Sequence, residues 1–385
     1  MKKFRSVIFW MHLISGASAG VIIFIMSVTG ALLSFERQVI EFGERDARIV
    51  AERPVETRLS PQQVIDRLKE QRPDAKPSAM TITDRPDVAW LFNLGREGQV
   101  YVDPYTGAIT GEGNKSVRGA MTELRNWHRY VALSDASRPI GKGITGAANL
   151  LFLFLAMSGL YIWFPRNLVW KAIKPVVWFK PGLSGKARNF NWHNTIGFWT
   201  SLLLIIFTLT ATVISYQWAT NLLYTLTGNE VPAGAVTSSN NPPPQTEKPF
   251  EFPTNIDGVW QNADSQVPNA KSVSLRLPIE NGSAVFTIDE GIYWNIFGRS
   301  TLTIDAATAE VKKWDSYGER NAAVQIRSWF RYTHTGETGG IVGQILGLIA
   351  CIGGSFLVWT GFSLALRRLQ KWWKRRSNGD TVAEA

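Results

Sequence analysis

Four residues of the chain are histidines, and each is near the end of a different apolar stretch. They are His12, His128, His193 and His334. Ionisable side chains at membrane depth are energetically costly and are usually functional. Haem iron takes axial imidazoles readily, and two facing helices can supply one each. The histidines therefore predict haem ligands. The alternatives are another imidazole-binding metal such as zinc, copper or nickel, or amphipathic residues at a membrane surface.

Glycines accompany the histidines in a regular way. Gly16 and Gly197 each follow a histidine by four residues, which puts them on the same helix face one turn along. A missing side chain at these positions leaves room for a flat macrocycle. Glycine also eases the packing of membrane helices, which is the alternative explanation.

A second pattern, Arg-x-Trp-x-Arg-Tyr, is next to His128 and recurs just before His334. Its residues are Arg125, Trp127, Arg129 and Tyr130, and then Arg327, Trp329, Arg331 and Tyr332. Arginine holds carboxylates well, so these four arginines, and Arg129 and Arg331 above all, are candidate ligands for haem propionates or an anionic substrate. Arginine, tryptophan and tyrosine are also common at membrane interfaces without any such role.

Four apolar stretches must position these residues. They run over 7–35, 144–164, 196–218 and 341–366. Each contains the ~20 apolar residues that a helix needs to cross a bilayer. The first stretch is longer than the ~7–15 residues of a signal sequence, so we interpret it as a retained membrane anchor.

The orientation is predicted from basic residues in short flanking segments. Segments 165–190 and 367–376 carry six basic residues each and no acid, and residues 2–5 carry three more. The three segments are on one side of the membrane in a four-span topology, so both termini are expected in the cytoplasm of a bacterium. His12 and His193 then belong to the inner depth, and His128 and His334 to the outer one. We attribute the net charge of +10 to topology rather than to nucleic-acid binding.

The chain also carries the signature of an internal duplication. An offset of 181 residues places His12 on His193, Gly16 on Gly197 and Thr29 on Thr210. An offset of 202 residues aligns 102–107 with 304–309 and both Arg-x-Trp-x-Arg-Tyr motifs. His128 then falls on Phe330, so His334 is one turn further along. The helical segments that carry the two outer histidines are therefore expected to differ in height by ~6 Å.

The two segments between the spans are expected to be α+β domains. Ser60-Pro61 predicts the start of a helix over 62–70. Strand-like runs follow at 88–94 and 99–102, and then at 272–277, 284–289, 293–296 and 302–304 in the second copy. Asp103 to Gly107 predicts a turn, and Pro232–Pro249 predicts a linker. Cys351 is the only cysteine, so these domains are expected to fold without disulfides.

The predicted organisation divides the chain into eight parts. They are a first span at 1–35, an outer domain at 36–143, a second span at 144–164, a basic loop with the start of the third span at 165–195, the third span at 196–218, a linker and second outer domain at 219–340, a fourth span at 341–366 and a tail at 367–385.

A helix, a few antiparallel strands and a closing Asp-x-x-Thr-Gly turn resemble the small PepSY domain. Two such domains between membrane helices resemble the PepSY-associated transmembrane family over nearly the whole chain. The second copy departs from the turn pattern, with Ala309 where the first has Gly107. Within that family the histidine pattern is similar to that of inner-membrane reductases of ferric siderophores such as ferrioxamine.

The resemblance implies a dihaem b-type oxidoreductase that releases Fe(II) from ferric siderophores in the periplasm. His12 and His193 would hold one haem, and His128 and His334 the other. The sequence has no dinucleotide fingerprint and no P-loop, so electrons must come from a donor that is still unidentified. The alternatives are a PepSY membrane protein that binds a peptide or an envelope protein without catalysis, and a quinol-linked electron conduit to a periplasmic protein.

Overall fold

The computed structural model describes residues 2–164, 169–231, 250–268, 270–291 and 297–380. The α-helices in these ranges are α1 (Lys2–Leu33), α2 (Glu36–Gly43), α3 (Arg45–Arg48), α4 (Pro61–Gln71), α5 (Lys115–Tyr130), α6 (Arg138–Trp163), α7 (Trp170–Val177), α8 (Gly185–Ser215), α9 (Gln217–Leu226), α10 (Asp257–Gln266), α11 (Ala322–His334) and α12 (Gly340–Asp380). The chain divides into two compact units. We call residues 1–35, 121–219 and 330–385 the helical bundle, and residues 36–120 and 220–329 the sheet unit.

Four helical segments are long and apolar enough to cross a membrane, which confirms the four predicted spans. They are Lys3–Leu33, Asp135–Trp163, Gly185–Ser215 and Glu337–Lys374. Three of the four helices begin well before the predicted apolar stretch, and α12 continues into the basic tail. Hydropathy marks only the apolar part of a helix, whereas the helix itself continues as long as its backbone hydrogen bonds do.

The four long helices of the bundle form a closed ring. Both α1 and α8 pack against α6 and α12, so α1 and α8 are at opposite corners. Small residues such as Ala19, Ala148 and Ala156 are buried between them, which allows close packing of membrane helices. Asn149 adds a polar link, because its side-chain amide donates to the carbonyl of Thr208 at 3.0 Å.

The sheet unit contains one antiparallel sheet. Its strands are β1 (Ala79–Thr83), β2 (Trp90–Asn93), β3 (Gln99–Val102), β4 (Ile109–Glu112), β5 (Ser272–Arg276), β6 (Ser283–Asp289), β7 (Arg299–Asp305) and β8 (Val311–Asp315). Their order is β4-β3-β2-β1-β5-β6-β7-β8. The sequence predicted two separate strand clusters, but β1 and β5 pair at the centre and join them. This pairing gives a partner to two strands that would otherwise be exposed edges. The predicted strand at 293–296 and the linker Pro232–Pro249 are outside the described residues.

One face of the sheet is covered by α4 and α10. Val64, Ile65 and Leu68 of α4 and Val259 and Ala263 of α10 are buried in the same apolar core as the strands. The predicted start of α4 is confirmed by a capping box. In it, the Ser60 hydroxyl accepts from the Gln63 backbone while the Gln63 side chain accepts from the Ser60 backbone.

The two halves of the sheet share local details at the offset of 202 residues. The register shifts between Tyr101 and Val102 on β3 and between Thr303 and Ile304 on β7. The turn after β3 is the predicted one, with the Gly107 amide donating to the Asp103 carbonyl at 2.8 Å. Gly107 has φ of 71°, and Ala309 has φ of 61° in the corresponding turn after β7. Ala309 therefore adopts a left-handed conformation that favours glycine.

A buried ion pair joins the start of α5 to the segment before α3. The Glu44 carboxylate is fully buried and accepts from the Arg118 guanidinium at 2.5 and 2.6 Å and from the Tyr101 hydroxyl at 2.7 Å. Burial alone would raise the pKa of Glu44, but the hydrogen bonds from Arg118 and Tyr101 outweigh it and hold the pKa below its ordinary value. Burial and the neighbouring carboxylate raise the pKa of Tyr101 to about 12.

Candidate functional site

The first pair of histidines, His12 and His193, is brought together across the bundle. His12 is on α1 and His193 is on α8, so each ring points inward from one of two opposite corners. The ring centres are 6.4 Å apart, and the ring planes are nearly perpendicular at 86°.

The second pair, His128 and His334, is equally close. His128 is near the end of α5, and His334 is the last residue of α11. Their ring centres are 6.3 Å apart, with an angle of 49° between the planes. The one-turn difference in sequence position does not keep the rings apart. After His334 the chain turns at Gly336, where φ is 77° and an added β-carbon would be 2.7 Å from the Gly343 carbonyl oxygen, so the position needs glycine.

These ring separations match a simple geometric requirement. An imidazole nitrogen binds a transition metal at about 2 Å, and the centre of a five-membered ring is about 1.2 Å behind the nitrogen. Two imidazoles on opposite sides of one metal ion therefore have ring centres about 6.4 Å apart. Both pairs have the spacing of two ligands that share a single ion.

All four rings are held through the nitrogen Nδ1. Nδ1 of His12 is 2.9 Å from the Ser158 hydroxyl, and Nδ1 of His193 is 2.9 Å from the Thr360 hydroxyl. In the second pair, Nδ1 of His128 is 3.0 Å from the Thr29 hydroxyl. Nδ1 of His334 is 2.9 Å from the Phe207 carbonyl. His128 also interacts with the backbone carbonyl of Met26, and His193 with that of Leu357.

The acceptors fix which nitrogen carries the proton. The Phe207 carbonyl can only accept, so Nδ1 of His334 must donate. The hydroxyls of Thr29 and Thr360 already donate to carbonyls of their own helices, each at 2.7 Å, so they also accept from the ring. Ser158 repeats this arrangement with a longer bond of 3.4 Å. A ring with its proton on Nδ1 presents a lone pair on Nε2, which is the form that binds a metal.

We call the group that hydrogen-bonds to each Nδ1 its anchor. Three of the four anchors are side-chain hydroxyls, and each of these three residues is followed by glycine. These dipeptides are Thr29-Gly30, Ser158-Gly159 and Thr360-Gly361. A β-carbon added at Gly159 or Gly361 would be 3.5 Å from Cε1 of the adjacent histidine, which is ordinary contact. One added at Gly30 would be 3.2 Å from Cε1 of His128 and 3.0 Å from Sγ of Cys351, which is tighter than normal packing.

The sequence reasoning missed these dipeptides, although a signal existed. Ser158-Gly159 falls on Thr360-Gly361 at the same offset of 202 residues that aligns the Arg-x-Trp-x-Arg-Tyr motifs. Of the glycines that it did single out, Gly16 would place an added β-carbon 3.7 Å from Leu155, and Gly197 would place one 3.5 Å from Leu357. Neither distance makes glycine necessary for packing in the bundle.

The four motif arginines differ in exposure and in their contacts. Arg129 and Arg331 are exposed, and the Arg129 guanidinium is 5.1 Å from the Tyr130 ring centre. Arg125 donates to the Thr122 hydroxyl at 2.8 Å, and burial followed by the charge of Arg129 lowers its pKa. Arg327 belongs to the sheet unit, and its Nε is buried with no hydrogen-bond partner among the residues that the structure describes.

Two tryptophans of the motif are partly exposed. Trp127 is 44% exposed and Trp329 is 36% exposed. Such side chains suit either a membrane interface or a binding surface, so the structure leaves both interpretations of the motif open.

No group of three or more histidine, cysteine, aspartate or glutamate side chains is placed to hold a metal ion in the part of the chain that the structure describes. Each candidate centre therefore consists of two histidines among the described residues. A metal bound there would take its other ligands from elsewhere.

A bundle of membrane helices with paired inward-facing histidines, combined with an antiparallel sheet, defines a multi-pass membrane protein with two candidate metal centres. The chain belongs to the family described as the PepSY-associated TM region, whose model matches residues 9–368. No curated protein matches the chain.

Proposed function

We propose that the protein is a dihaem b-type membrane oxidoreductase that reduces ferric siderophores. The observation that carries the cofactor assignment is the ring-centre separation of 6.4 and 6.3 Å in the two pairs, with every Nδ1 already hydrogen-bonded. His12 and His193 would hold one haem, and His128 and His334 the other. When bound, haem supplies reversible one-electron transfer at a six-coordinate iron.

Haem is favoured over a bare metal ion because of the number of ligands. Zinc sites in proteins usually have four ligands, at least three of them protein side chains, and each pair offers only two. A macrocycle brings its own four nitrogens and asks the protein for axial ligands only. The exposed Arg129 and Arg331 are candidate donors to propionates.

We further infer that the chain arose by duplication and that each half contributes one PepSY-like domain to the sheet. Three matches at the same offset of 202 residues support this: the register shifts on β3 and β7, the left-handed residues Gly107 and Ala309, and the two Ser/Thr-Gly dipeptides.

The proposed location is the inner membrane of a bacterium, with both termini in the cytoplasm and the sheet unit in the periplasm. The basic residues of 165–190 and of the tail support this orientation, because such residues are retained on the cytoplasmic side. The first pair then belongs to the cytoplasmic half of the membrane and the second pair to the periplasmic half.

The reaction we propose transfers one electron to each ferric ion of a siderophore, which becomes ferrous. The electron comes from a reduced carrier, a quinol of the membrane or a nicotinamide cofactor of the cytoplasm. Reduction loosens the hold of hard oxygen ligands on iron, because ferrous iron is softer and less charged. The resemblance to siderophore reductases supplies this substrate class. Within the helical bundle, the partly exposed Trp127 and the arginines Arg125, Arg129 and Arg331 are the residues on which we expect the chelate to bind.

The cofactor is tested by purifying the protein from membranes. We expect a low-spin six-coordinate haem spectrum and two haems per chain. A colourless protein that takes up no haem on reconstitution would overturn the cofactor and the function together, and would favour a peptide-binding PepSY protein.

The substrate is tested by mixing the reduced protein anaerobically with ferric siderophores, ferrioxamine among them. We expect the haems to reoxidise and Fe(II) to appear with no other protein present. If the haems reoxidise only when a periplasmic protein is added, the protein is an electron conduit rather than a siderophore reductase.

A further inference from the structure

The helices that carry the histidines of a pair are different from the helices that carry their anchors. We call this the crossed arrangement. At the first pair the ligands are on α1 and α8, and the anchoring hydroxyls of Ser158 and Thr360 are on α6 and α12. At the second pair the ligands are on α5 and α11, and the anchors are on α1 and α8. Each site therefore depends on two ligand-bearing helices and two anchoring helices.

Thr29 and Thr210 match at the offset of 181, but only Thr29 hydrogen-bonds to a histidine. Both are on the same face of their helices, and both donate to the carbonyls three and four residues earlier. Thr29 also accepts from His128, at 3.0 Å. Thr210 makes no such bond, because His334 donates directly to the Phe207 carbonyl.

We propose that Ser158, Thr360 and Thr29 are positioning residues that hold the haem ligands in one orientation and in the metal-binding tautomer. This proposal rests on the proposed cofactor. A neutral acceptor on Nδ1 locks the ring rotation and keeps the proton away from Nε2. It also makes the imidazole a stronger electron donor to a metal, which lowers the reduction potential of that metal.

Each of the three positioning residues acts on only one pair of histidines. Ser158 and Thr360 act on the first pair, and Thr29 acts on the second. The fourth acceptor is a backbone carbonyl, which no side-chain substitution removes. The second site is therefore expected to tolerate loss of its hydroxyl acceptor better than the first site tolerates loss of both of its own.

The experiment compares haem retention and midpoint potential in full-length variants. Thr360→Val keeps the shape of the side chain and removes the hydroxyl acceptor of His193, while the Leu357 carbonyl stays in place. Losing such a partner typically weakens metal binding by about 10–100-fold. We expect that loss at the first site alone, with an upward shift in the potential of the haem that remains bound there. Thr360→Ser should restore both values.

Thr29→Val should produce the same changes at the second site, while Thr200→Val, a control on α8 whose hydroxyl donates to the Ile196 carbonyl at 2.8 Å, should change neither site. Ser158→Ala tests the first site independently if Thr360→Val does not accumulate in membranes. Two haems with unchanged potentials in both Thr360→Val and Thr29→Val would overturn the inference while leaving the cofactor assignment intact. Absence of haem from the unaltered protein would instead refute the cofactor assignment.

Discussion

The first and second pairs of histidines have nearly the same ring separation, although their sequence positions and their anchors differ. The first pair consists of residues that match at the offset of 181, and its two anchors match at the offset of 202. In the second pair one ligand is displaced by a turn, and one anchor is a carbonyl instead of a hydroxyl. Equivalent geometry in spite of unequal sequence positions indicates that the ring-to-ring distance is what the fold maintains.

The same contrast appears around Arg118 and Arg320, which match at the offset of 202. Arg118 pairs with the fully buried Glu44. Arg320 pairs at 3.0 Å with Asp315, which is 41% exposed. The first half of the sheet unit thus contains a buried charge cluster where the second half has a solvent-exposed pair.

The largest expected effect is on the number of haems. His12→Ala and His193→Ala should each remove the same haem, because one axial ligand is not enough to hold a bis-histidine cofactor, and the double variant should lose no more. His128→Ala and His334→Ala should remove the other. Haem is counted per chain, with each haem identified by its midpoint potential. If His12→Ala and His193→Ala affected different haems, the pairing would be wrong.

The next effect concerns the buried charge. Glu44→Ala leaves the Arg118 guanidinium and the Tyr101 hydroxyl without their acceptor, which should lower the free energy of unfolding of the sheet unit by about 3 kcal/mol. Asp315→Ala is the matched control and should cost less than about 1 kcal/mol, because its pair is partly exposed. Hydrogen exchange of amides in β3 and β7 measures both. If Glu44→Ala and Asp315→Ala lowered the free energy of unfolding equally, the two ion pairs would not differ in their contribution to stability.

Glu44 also predicts a dependence on pH. Its pKa is lower in the folded protein than in the unfolded chain, so it stabilises the fold above its ordinary pKa, and that contribution disappears as the pH falls through the lower, folded value. The stability difference between the original protein and Glu44→Gln should therefore shrink on acidification. A difference that stayed constant down to strongly acidic pH would show that the carboxylate charge contributes nothing.

A smaller effect is expected at Gly30. An added methyl group there would press on Cε1 of His128 and Sγ of Cys351, and overpacking of this kind costs about 1–3 kcal/mol. Gly30→Ala should weaken haem binding at the second pair. Gly361→Ala, where contact with His193 is ordinary, should leave the first pair unchanged. Haem titration of both variants decides whether the second site is the more crowded one.

The smallest effect is expected in the turns. Ala309→Gly should stabilise the sheet unit by about 0.5–1 kcal/mol, because glycine adopts positive φ without strain. Gly107→Ala should destabilise it, since an added β-carbon would be 2.6 Å from Cγ of Arg67. Thermal unfolding provides the measurement. A destabilised Ala309→Gly would mean that the two turns do not share one conformation.

The membrane spans and the pairing of the histidines were accessible from the sequence for physical reasons. About twenty apolar residues leave few alternatives to a spanning helix, and the two histidines of each pair were predicted to share a depth from the flanking charges. The β3–β4 turn was accessible because Asp103 and Gly107 have specific conformational roles.

Other features depend on contacts between distant parts of the chain. The β1–β5 pairing joins strands almost 200 residues apart, and no local pattern specifies it. The anchors Ser158 and Thr360 are ordinary small polar residues in apolar helices, and only their distance to a histidine on another helix gives them significance. The haem, the substrate and the orientation stay predictions.

The crossed arrangement of ligands and anchors has a consequence for biogenesis. The chain emerges from the ribosome in order from its N-terminus. The first pair has both of its ligands once α8 has been synthesised, but Thr360 comes only with the last helix. The second pair lacks His334 until the segment just before that helix. If the pairs hold haem as proposed, neither centre is complete in a nascent chain with three inserted helices, and loading would follow the synthesis of α12.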